Sequence, residues 1–282
     1  MTSPSFTIVT PSFNQAAFIG EALESVRQQN WPHVEHVVMD GESTDATVDI
    51  LKRHSGRSDW KHLRWISEPD RGQAHALNKG FSTVRGEIVG WLNSDDRYLP
   101  HCFEHVARVF QQHPEVDVVY GDYRFIDEAG NVRQTRREIE FSRFVLLYHR
   151  VLYIPTTSTF FRRRVFEEGH FLDERLHYAM DAEFFMRLAR QGLRFRHVKA
   201  VLADFRFQPH SKTCTAAPRQ LLEKRRIMEN YSPILKAMPW PLLRRGVGGV
   251  LSSSAAALRY SEKLLRGCYW EERRRLQSPQ GL

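Results

Sequence analysis

Short apolar runs alternate with longer amphipathic segments over roughly the first hundred residues, and each apolar run ends in a polar turn. The apolar runs predict strands over residues 6–10, 35–40, 62–67 and 87–92. The segments between them predict helices near residues 18–26, 46–54 and 73–84, with Asn14 as the cap of the first. Such alternation is typical of βαβ units, so it predicts an α/β fold with a mostly parallel sheet flanked by helices.

Acidic side chains follow several of these predicted strands. In a sheet built from βαβ units, the polar turns after the strands lie at one edge, where ligands bind. We therefore expect a single crevice to hold the aspartates of these turns. They are Asp40, Asp70, Asp95 and Asp96.

The predicted strand over residues 87–92 runs into two adjacent carboxylates, Asp95 and Asp96. Two acidic side chains at a strand end are a suitable seat for a hard divalent cation that carries a polyphosphate. This stretch alone leaves open a plain acidic turn at the protein surface.

The alternation becomes irregular after residue 113. The pattern predicts a helix ending at residue 113, a strand over 117–120, a hairpin of 123–126 with 132–135, a helix over 141–149, an extended segment over 158–163 and closing strands over 194–198 and 201–207. Residues 178–190 predict a strongly amphipathic helix with Asp181 and Glu183 near its start.

The net charge of +8 lies entirely in the last part of the chain. From residue 218 onward there are 13 Lys and Arg against 5 Asp and Glu, whereas the earlier residues carry 28 of each sign. The three cysteines form no CxxC or Cys/His cluster, which favours a reducing compartment and argues against a zinc site. The N-terminal residues lack a signal-peptide pattern, and the uncharged segment over 246–258 is too short to span a bilayer. We expect a cytoplasmic protein that at most lies on the inner face of the membrane.

The basic tail predicts helices that carry interfacial aromatic and apolar residues such as Trp240 and Trp270. Basic amphipathic helices bind anionic membrane surfaces, which would suit a lipid-linked substrate. The alternative is packing on the rest of the chain or on a second copy in a homodimer. Nucleic-acid binding is disfavoured because no nucleic-acid-binding module accompanies the tail.

Several polar motifs occur in a set order along the chain. They are TPSFNQ at residues 10–15, DGESTD at 40–45, EPDRGQAHALNKG at 68–80, WLNSDD at 91–96, YAMDAEFFMRL at 178–188 and HSKT at 210–213. Together they closely resemble the inverting family 2 glycosyltransferases of the GT-A fold. The resemblance covers residues 5–215.

The resemblance implies a GT-A catalytic domain over residues 1–217, with a Rossmann-like nucleotide-binding sheet. Within it, residues 1–100 would form the nucleotide-sugar-binding half and residues 101–217 the acceptor-binding half. Residues 218–282 would then be a basic helical extension.

The resemblance also implies how the donor, a nucleotide sugar that we expect to be UDP-linked, is bound. Thr10 and Pro11 would line the base, and Asp40 would accept a hydrogen bond from it, which discriminates between bases because a wrong partner leaves the carboxylate unpaired. Asp70 and Arg71 would lie beside the base and the diphosphate. The other implied donor-binding residues are Asn14, Gln73, Asn78, Asn93, Ser94 and Asp95.

Residues 93–95 correspond to the DxD motif of the family, with Asn93 in place of the first Asp and suited to accept from the ribose hydroxyls. Asp95 is then the implied ligand of Mn²⁺ or Mg²⁺, which would neutralise charge on the departing diphosphate. Asp96 is the second candidate ligand.

Asp181 corresponds to the catalytic base that deprotonates the acceptor hydroxyl, with Met180 where the family often has Glu. Glu183 is the second candidate for this role. An alternative for both is stabilisation of the helix by negative charge near its start. His210 and Lys212 correspond to a loop that approaches the diphosphate or the metal.

The resulting hypothesis is an inverting, metal-dependent transferase that moves a sugar to a saccharide or lipid-linked acceptor in surface polysaccharide or glycolipid assembly. Single addition is favoured because the processive Gln-x-x-Arg-Trp motif and transmembrane helices are absent. A sugar nucleotidyltransferase is disfavoured because residues 10–15 lack a Gly-rich basic loop. A non-catalytic nucleotide-sugar-binding protein is disfavoured because a pure binder needs no base such as Asp181.

Overall fold

The strands described by the structure form one mixed sheet of nine strands with helices packed against it. The structure is a computed structural model that describes residues 3–149, 151–207 and 217–268. The strands are β1 (Phe6–Ser12), β2 (Val34–Asp40), β3 (Leu63–Ser67), β4 (Ile88–Trp91), β5 (Arg97–Tyr98), β6 (Val118–Ile126), β7 (Val132–Arg136), β8 (Thr159–Arg162) and β9 (Phe195–Arg206). Their order in the sheet is β3-β2-β1-β4-β8-β6-β9-β5, and β7 pairs with β6.

The described helices follow the same chain order. They are α1 (Ile19–Arg27), α2 (Thr47–Ser55), α3 (Gln73–Phe81), α4 (Cys102–Gln112), α5 (Arg143–Tyr148), α6 (Arg164–Glu167), α7 (Met180–Arg190), α8 (Ala217–Tyr231), α9 (Pro233–Lys236) and α10 (Pro241–Leu265). Short 3₁₀ turns occur at Ser58–Trp60 and Thr156–Ser158.

The first four strands of the sheet order are parallel. β1 pairs in parallel with β2 and β4, and β2 pairs in parallel with β3. All residues of β1 are buried because Val9 packs in the core that includes Leu77 of α3, whereas Ile8 packs in the core that includes Ala22 of α1. The predicted α/β fold with a parallel nucleotide-binding half is confirmed, and these strand limits lie within two residues of the predicted ones.

The rest of the sheet is mixed. β8 is antiparallel to both β4 and β6, whereas β9 is parallel to β6 and antiparallel to β5. The sequence predicted two closing strands, but β9 is continuous and pairs with β6 through a register shift around Asp122. The shift interrupts the apolar alternation, which is why the sequence pattern divides one strand into two. The predicted hairpin is confirmed as β6 and β7.

The prediction that Asn14 caps the first helix is wrong. α1 begins at Ile19 and has no side-chain cap. Asn14 has a φ of 52° and turns its side chain toward the loop after β2, where Oδ1 accepts from the backbone N–H of Thr44 at 2.8 Å. Its own backbone N–H donates to Ser43 Oγ at 2.8 Å. Asn14 therefore joins the two loops that follow β1 and β2.

The C-terminal helix α10 is fastened to the segment after β7 by buried charges. The fully buried carboxylate of Glu138 accepts from Arg259 Nη2 at 2.8 Å through each oxygen and pairs with Lys263 Nζ at 3.0 Å. Arg266 adds a bond to Glu140 at 2.7 Å. This face of α10 packs on the rest of the chain, which was one of the two alternatives predicted for the tail. Among the described residues, no helix has the length and apolar character needed to cross a bilayer.

Replacement of Glu138 by Gln should destabilise the protein strongly, because it leaves the buried charges of Arg259 and Lys263 without a counter-charge. We expect the free energy of unfolding to fall by about 3 kcal/mol. Urea-induced unfolding at neutral pH measures this change. The matched control is Glu104→Gln, since Glu104 is exposed and pairs with the exposed His101, and it should change stability by less than about 0.5 kcal/mol. Equal effects of the two substitutions would contradict the assignment of Glu138 as the anchor of α10.

Candidate active site

A cleft of about 770 Å³ lies at the carboxyl ends of β1 and β4. Pro11 and Ser12 line it from β1, residues 93–96 from the turn after β4, Asp181 from α7, and Gln220 from α8. Side chains from both halves of the sheet and from the helical tail thus meet in one crevice. The cleft is the kind of strand-end site at which α/β proteins bind ligands.

Three of the four predicted strand-end aspartates line this cleft, namely Asp70, Asp95 and Asp96. Asp40 is 2% exposed and lies just beneath the lining residue Gly41. A Cβ on Gly41 would stand 2.5 Å from Asp70 Oδ2, so glycine at this position lets the loops after β2 and β3 approach closely.

The side-chain amide of Asn93 is held in one orientation by three hydrogen bonds. Its Oδ1 accepts from Gln73 Nε2 and from Trp91 Nε1, each at 3.0 Å. Its Nδ2 donates to Asp96 Oδ2 at 3.0 Å. An aspartate at this position could accept the first two bonds but could not donate the third. The structure therefore gives a physical reason for asparagine in the first position of the motif.

Asp96 is buried and tied to two other parts of the chain. It is 2% exposed, and its carboxylate accepts from Thr157 Oγ1 at 2.5 Å and from the backbone N–H of Arg206 at 2.8 Å. Burial, with a further contribution from the charge of Asp95, raises the pKa of Asp96 well above its usual range. Asp96 is buried among these donors, whereas Asp95 is partly exposed at the cleft, so Asp95 is the better placed of the two to meet a ligand.

Arg206 braces the same turn from the end of β9. Its guanidinium is fully buried and donates to the backbone carbonyl of Asp95 at 2.9 Å, to that of Glu128 at 2.7 Å and to Glu21 Oε2 at 2.7 Å. The sequence analysis missed this residue. A lone arginine in a strand carries no local signal, and its partners are far away in sequence.

Asp181 lies in the cleft at the start of α7, with Oδ1 accepting from the backbone N–H of Ala182 at 2.7 Å. Burial raises its pKa above that of an exposed aspartate, which makes the ionised carboxylate a stronger base. Glu223 of α8 supports this helix, because its Oε2 accepts from the N–H groups of Tyr178 and Ala179 at 2.9 and 3.0 Å. Glu223 and Gln220 are tail residues that the sequence analysis did not connect with the site.

Glu183, the second candidate base, lies outside the residues that line the cleft. It is 6% exposed, pairs with Arg187 at 2.9 Å and accepts from the hydroxyl of Tyr231 at 2.5 Å. Its surroundings match the structural alternative, in which the carboxylate stabilises the helix.

The predicted donor-binding residues divide between the cleft and the protein interior. Thr10 is fully buried, and its hydroxyl meets His36 Nε2 at 2.9 Å. The carboxylate of Asp40 holds the loop after β2, accepting from the backbone N–H and hydroxyl of Ser43 at 2.9 and 2.5 Å and from Ser67 at 2.7 Å. The predicted residues that do line the cleft are Pro11, Asn14, Asp70, Gln73, Asn93, Ser94, Asp95, Asp96 and Asp181.

Two predicted donor-binding residues are turned elsewhere. Asn78 bonds to both backbone groups of Leu172, at 3.0 and 2.9 Å, and donates to Glu174 at 3.1 Å. The exposed Arg71 pairs with the same Glu174 at 2.5 Å. Neither lines the cleft, so the structure places both in an anchor between α3 and the segment before α7. His210 and Lys212 lie outside the described residues.

The cleft offers a divalent cation few ligands from the described residues. In the described part of the chain, no three or more His, Cys, Asp and Glu side chains are grouped so as to hold a metal ion. Mg²⁺ and similar ions that act on diphosphates commonly take one or two carboxylates from the protein and the remaining ligands from phosphate and water. A cleft-lining carboxylate such as Asp95 fits this kind of site. The described residues do not fit a site in which protein groups supply all the ligands.

Comparison with known proteins gives a family match. The model described as glycosyl transferase family 2 matches residues 7–169. An uncharacterized glycosyltransferase of Nostoc is 27% identical over 57% of this chain and 52% of its own length. A putative teichuronic acid biosynthesis glycosyltransferase of Bacillus subtilis, TuaG, is 35% identical over 34% of this chain and 37% of its own. The chain thus spans about half the length of the Nostoc relative and 37% of the length of TuaG.

Solved structures with the same fold cover most of the chain. TarS 1–349 of S. aureus in complex with UDP-GlcNAc matches with a TM-score of 0.67 and 18% identity over 89% of this chain and 71% of its own. A mannosyltransferase of Pyrobaculum calidifontis with GDP-Man and Mn²⁺ matches with a TM-score of 0.60 and 20% identity over 97% and 83%. At such identities the likeness establishes the fold, which is the predicted GT-A fold.

Replacement of Asn93 by Asp should weaken the protein although it restores the acidic residue of the DxD pattern. The donor to Asp96 is lost and a second carboxylate faces it, so the free energy of unfolding should fall by about 1–3 kcal/mol. Chemical denaturation measures this loss. Asn131→Asp is the matched control, because Asn131 also donates to an aspartate, Asp127, but is exposed. That control should cost less than about 0.5 kcal/mol. A stabilising effect of Asn93→Asp would refute the proposed reason for asparagine.

Proposed function

The chain belongs to glycosyl transferase family 2, and from this premise we propose that it transfers a sugar from a UDP-linked donor to a hydroxyl of a saccharide or lipid-linked acceptor, with inversion. The observation that carries the proposal is that the carboxylates of Asp95 and Asp181 line one cleft. A base and a diphosphate-binding carboxylate at the same cavity are the two acidic functions that such a transfer needs.

The donor would lie along the carboxyl ends of the parallel strands. Pro11, Asn14 and Asp70 line that part of the cleft, and Asp40 beneath it keeps its proposed role as acceptor from the base. A nucleotide-sugar donor is supported by the structural relatives, which were solved with UDP-GlcNAc and with GDP-Man. Thermal unfolding with a panel of UDP-, GDP-, dTDP- and CDP-sugars tests the choice of nucleotide, since a bound ligand stabilises the folded state.

Asp95 is the proposed protein ligand of Mn²⁺ or Mg²⁺. A bound cation would supply Lewis-acid neutralisation of charge on the nucleoside diphosphate leaving group. The protein contributes by fixing the carboxylate, because Arg206 holds the backbone of Asp95 and the buried Asp96 holds the turn. Asp96 accordingly acts by positioning its neighbour.

Asp181 is the proposed catalytic base. It would take the proton from the acceptor hydroxyl while that oxygen attacks the anomeric carbon. The bond between this carbon and the diphosphate oxygen breaks at the same time, and the nucleoside diphosphate leaves with the electron pair. Attack from the face opposite the leaving group inverts the anomeric configuration. A partly buried carboxylate with a raised pKa suits this task.

Surface polysaccharide or glycolipid assembly is the proposed setting. Relatives named for teichuronic acid and O-antigen biosynthesis support it. We propose the division into a catalytic domain over residues 1–217 and a tail over 218–282, with the tail at an anionic membrane surface. Strongly exposed apolar side chains of α10, including Leu242 at 85% and Leu265 at 87% exposure, support that contact.

Replacement of Asp95 by Asn should remove the metal-dependent part of donor binding. The amide keeps the size of the side chain but lacks the negative charge, so we expect the donor affinity in Mn²⁺ to fall at least tenfold, or about 1.4 kcal/mol. Thermal shift with and without a chelator measures this. The exposed Asp49 of α2 provides the control Asp49→Asn, which should behave as the wild type. Unchanged metal dependence in Asp95→Asn would remove this residue from the metal site.

Replacement of Asp181 by Asn should abolish transfer and leave donor binding intact. The amide retains an oxygen for Ala182 N–H but cannot take a proton, so we expect transfer to fall by about 10²–10⁴-fold. Release of nucleoside diphosphate in the presence of envelope saccharides and glycolipids measures the rate. Glu183→Gln is the matched control outside the cleft and should retain transfer within a few-fold. Undiminished transfer by Asp181→Asn would exclude this residue as the base.

A further inference from the structure

A second cavity, of about 300 Å³, lies between α5, α8 and α10. None of its lining residues lines the cleft described above. Its lining is rich in cations, with Lys224 and Arg225 from α8 and Arg244 and Arg245 from α10. None of these four cations is among the predicted donor-binding or catalytic residues.

Lys224 is the unusual member of this group. It is 8% exposed, and its amine has no hydrogen-bond partner in the described part of the chain. Burial lowers the pKa of Lys224 to about 7, and the positive charge of Arg259 acts in the same direction, while Asp181 opposes it. A buried ammonium group without a partner destabilises a folded protein, so its retention at a cavity wall points to a ligand that completes it.

The other cations of the cavity are only partly neutralised. Arg225 donates to Glu229 at 2.9 Å, and Glu229 is the one carboxylate of the lining. Arg244 donates one guanidinium nitrogen to the carbonyl of Met238 at 2.6 Å, while its buried Nε is without a partner among the described residues. The cavity therefore carries an excess of positive charge and unused donors. Guanidinium and ammonium groups in this combination are suited to a phosphate group.

Two glycines of α10 face this space. Gly248 and Gly249 both line the cavity, and a Cβ on Gly249 would meet no atom within 4 Å. Glycine inside a helix costs about 1 kcal/mol relative to alanine. Here the absence of a side chain leaves open space at the cavity wall. Two exposed apolar side chains accompany the cavity. Leu221, which is 52% exposed, lines it, and Leu243, in the first turn of α10 next to the lining residue Arg244, is 46% exposed.

We propose that this cavity is a binding site for a phosphate group, presented either by the headgroup of an anionic lipid or by a phosphorylated small molecule. Lys224 and Arg244 supply the buried donors, and Arg245 supplies charge at the mouth. The site is distinct from the cleft, since no residue lines both cavities.

Thermal unfolding of the full chain in inorganic phosphate, with chloride at equal ionic strength as the reference, tests the site. Phosphate should stabilise the wild type, and Lys224→Met should weaken its apparent affinity at least tenfold. Without phosphate, Lys224→Met should melt higher than the wild type because the buried amine is gone. Lys236→Met is the matched control, since Lys236 is an exposed tail lysine, and it should keep the phosphate response.

Gly249→Leu provides a second, independent block of the cavity. Leucine favours the helix and would fill the space, so the variant should fold and lose the phosphate response. A phosphate response that persists in both Lys224→Met and Gly249→Leu, or its absence in the wild type, would overturn the proposal.

Vesicle flotation distinguishes the two sources of phosphate. Binding to phosphatidylglycerol but not phosphatidylcholine vesicles, weakened at least tenfold by Lys224→Met and little by Lys236→Met, would assign the lipid headgroup. A phosphate response that depends on Lys224, with equal vesicle binding by both variants, would assign a soluble phosphorylated ligand.

Discussion

The buried carboxylate of Asp96 is the interaction on which the cleft depends. It accepts from Asn93 in its own turn, from Thr157 before β8 and from the backbone of Arg206 at the end of β9. A carboxylate in the protein interior is tolerable only when such donors surround it, so these three segments hold their positions together. The location of Asp95 in the cleft follows from this network.

Acidic groups join distant parts of the chain at two other places. Glu138 binds Arg259 and Lys263 of the C-terminal helix. Glu223 of α8 binds the backbone that leads into α7. In each case one carboxylate satisfies several donors that would otherwise be buried unpaired. The tail that composition marks as a separate basic extension is, through α8 and α10, part of the wall and support of the cleft.

Sequence reasoning succeeded where the information is local. The alternation of apolar runs located the parallel strands, and the turns that follow them located the cleft aspartates Asp70, Asp95 and Asp96. It failed where the position of a side chain depends on a partner far away in the sequence. Asn14, predicted as a helix cap, instead joins two loops through its amide, and the amide of Asn78 binds the segment at Leu172. Arg206 and Glu223 act on residues many positions away, and no spacing rule in the sequence connects them with those partners.

The hydrogen bonds from Tyr178 and Ala179 to Glu223 have a consequence for how such a chain can be recombined. A natural or engineered exchange of tails at residue 217 would deprive α7, which carries Asp181, of the carboxylate that accepts from the backbone at its N-terminus. The smallest exchangeable unit is then α7 together with α8, so the two helices are expected to be inherited as a pair.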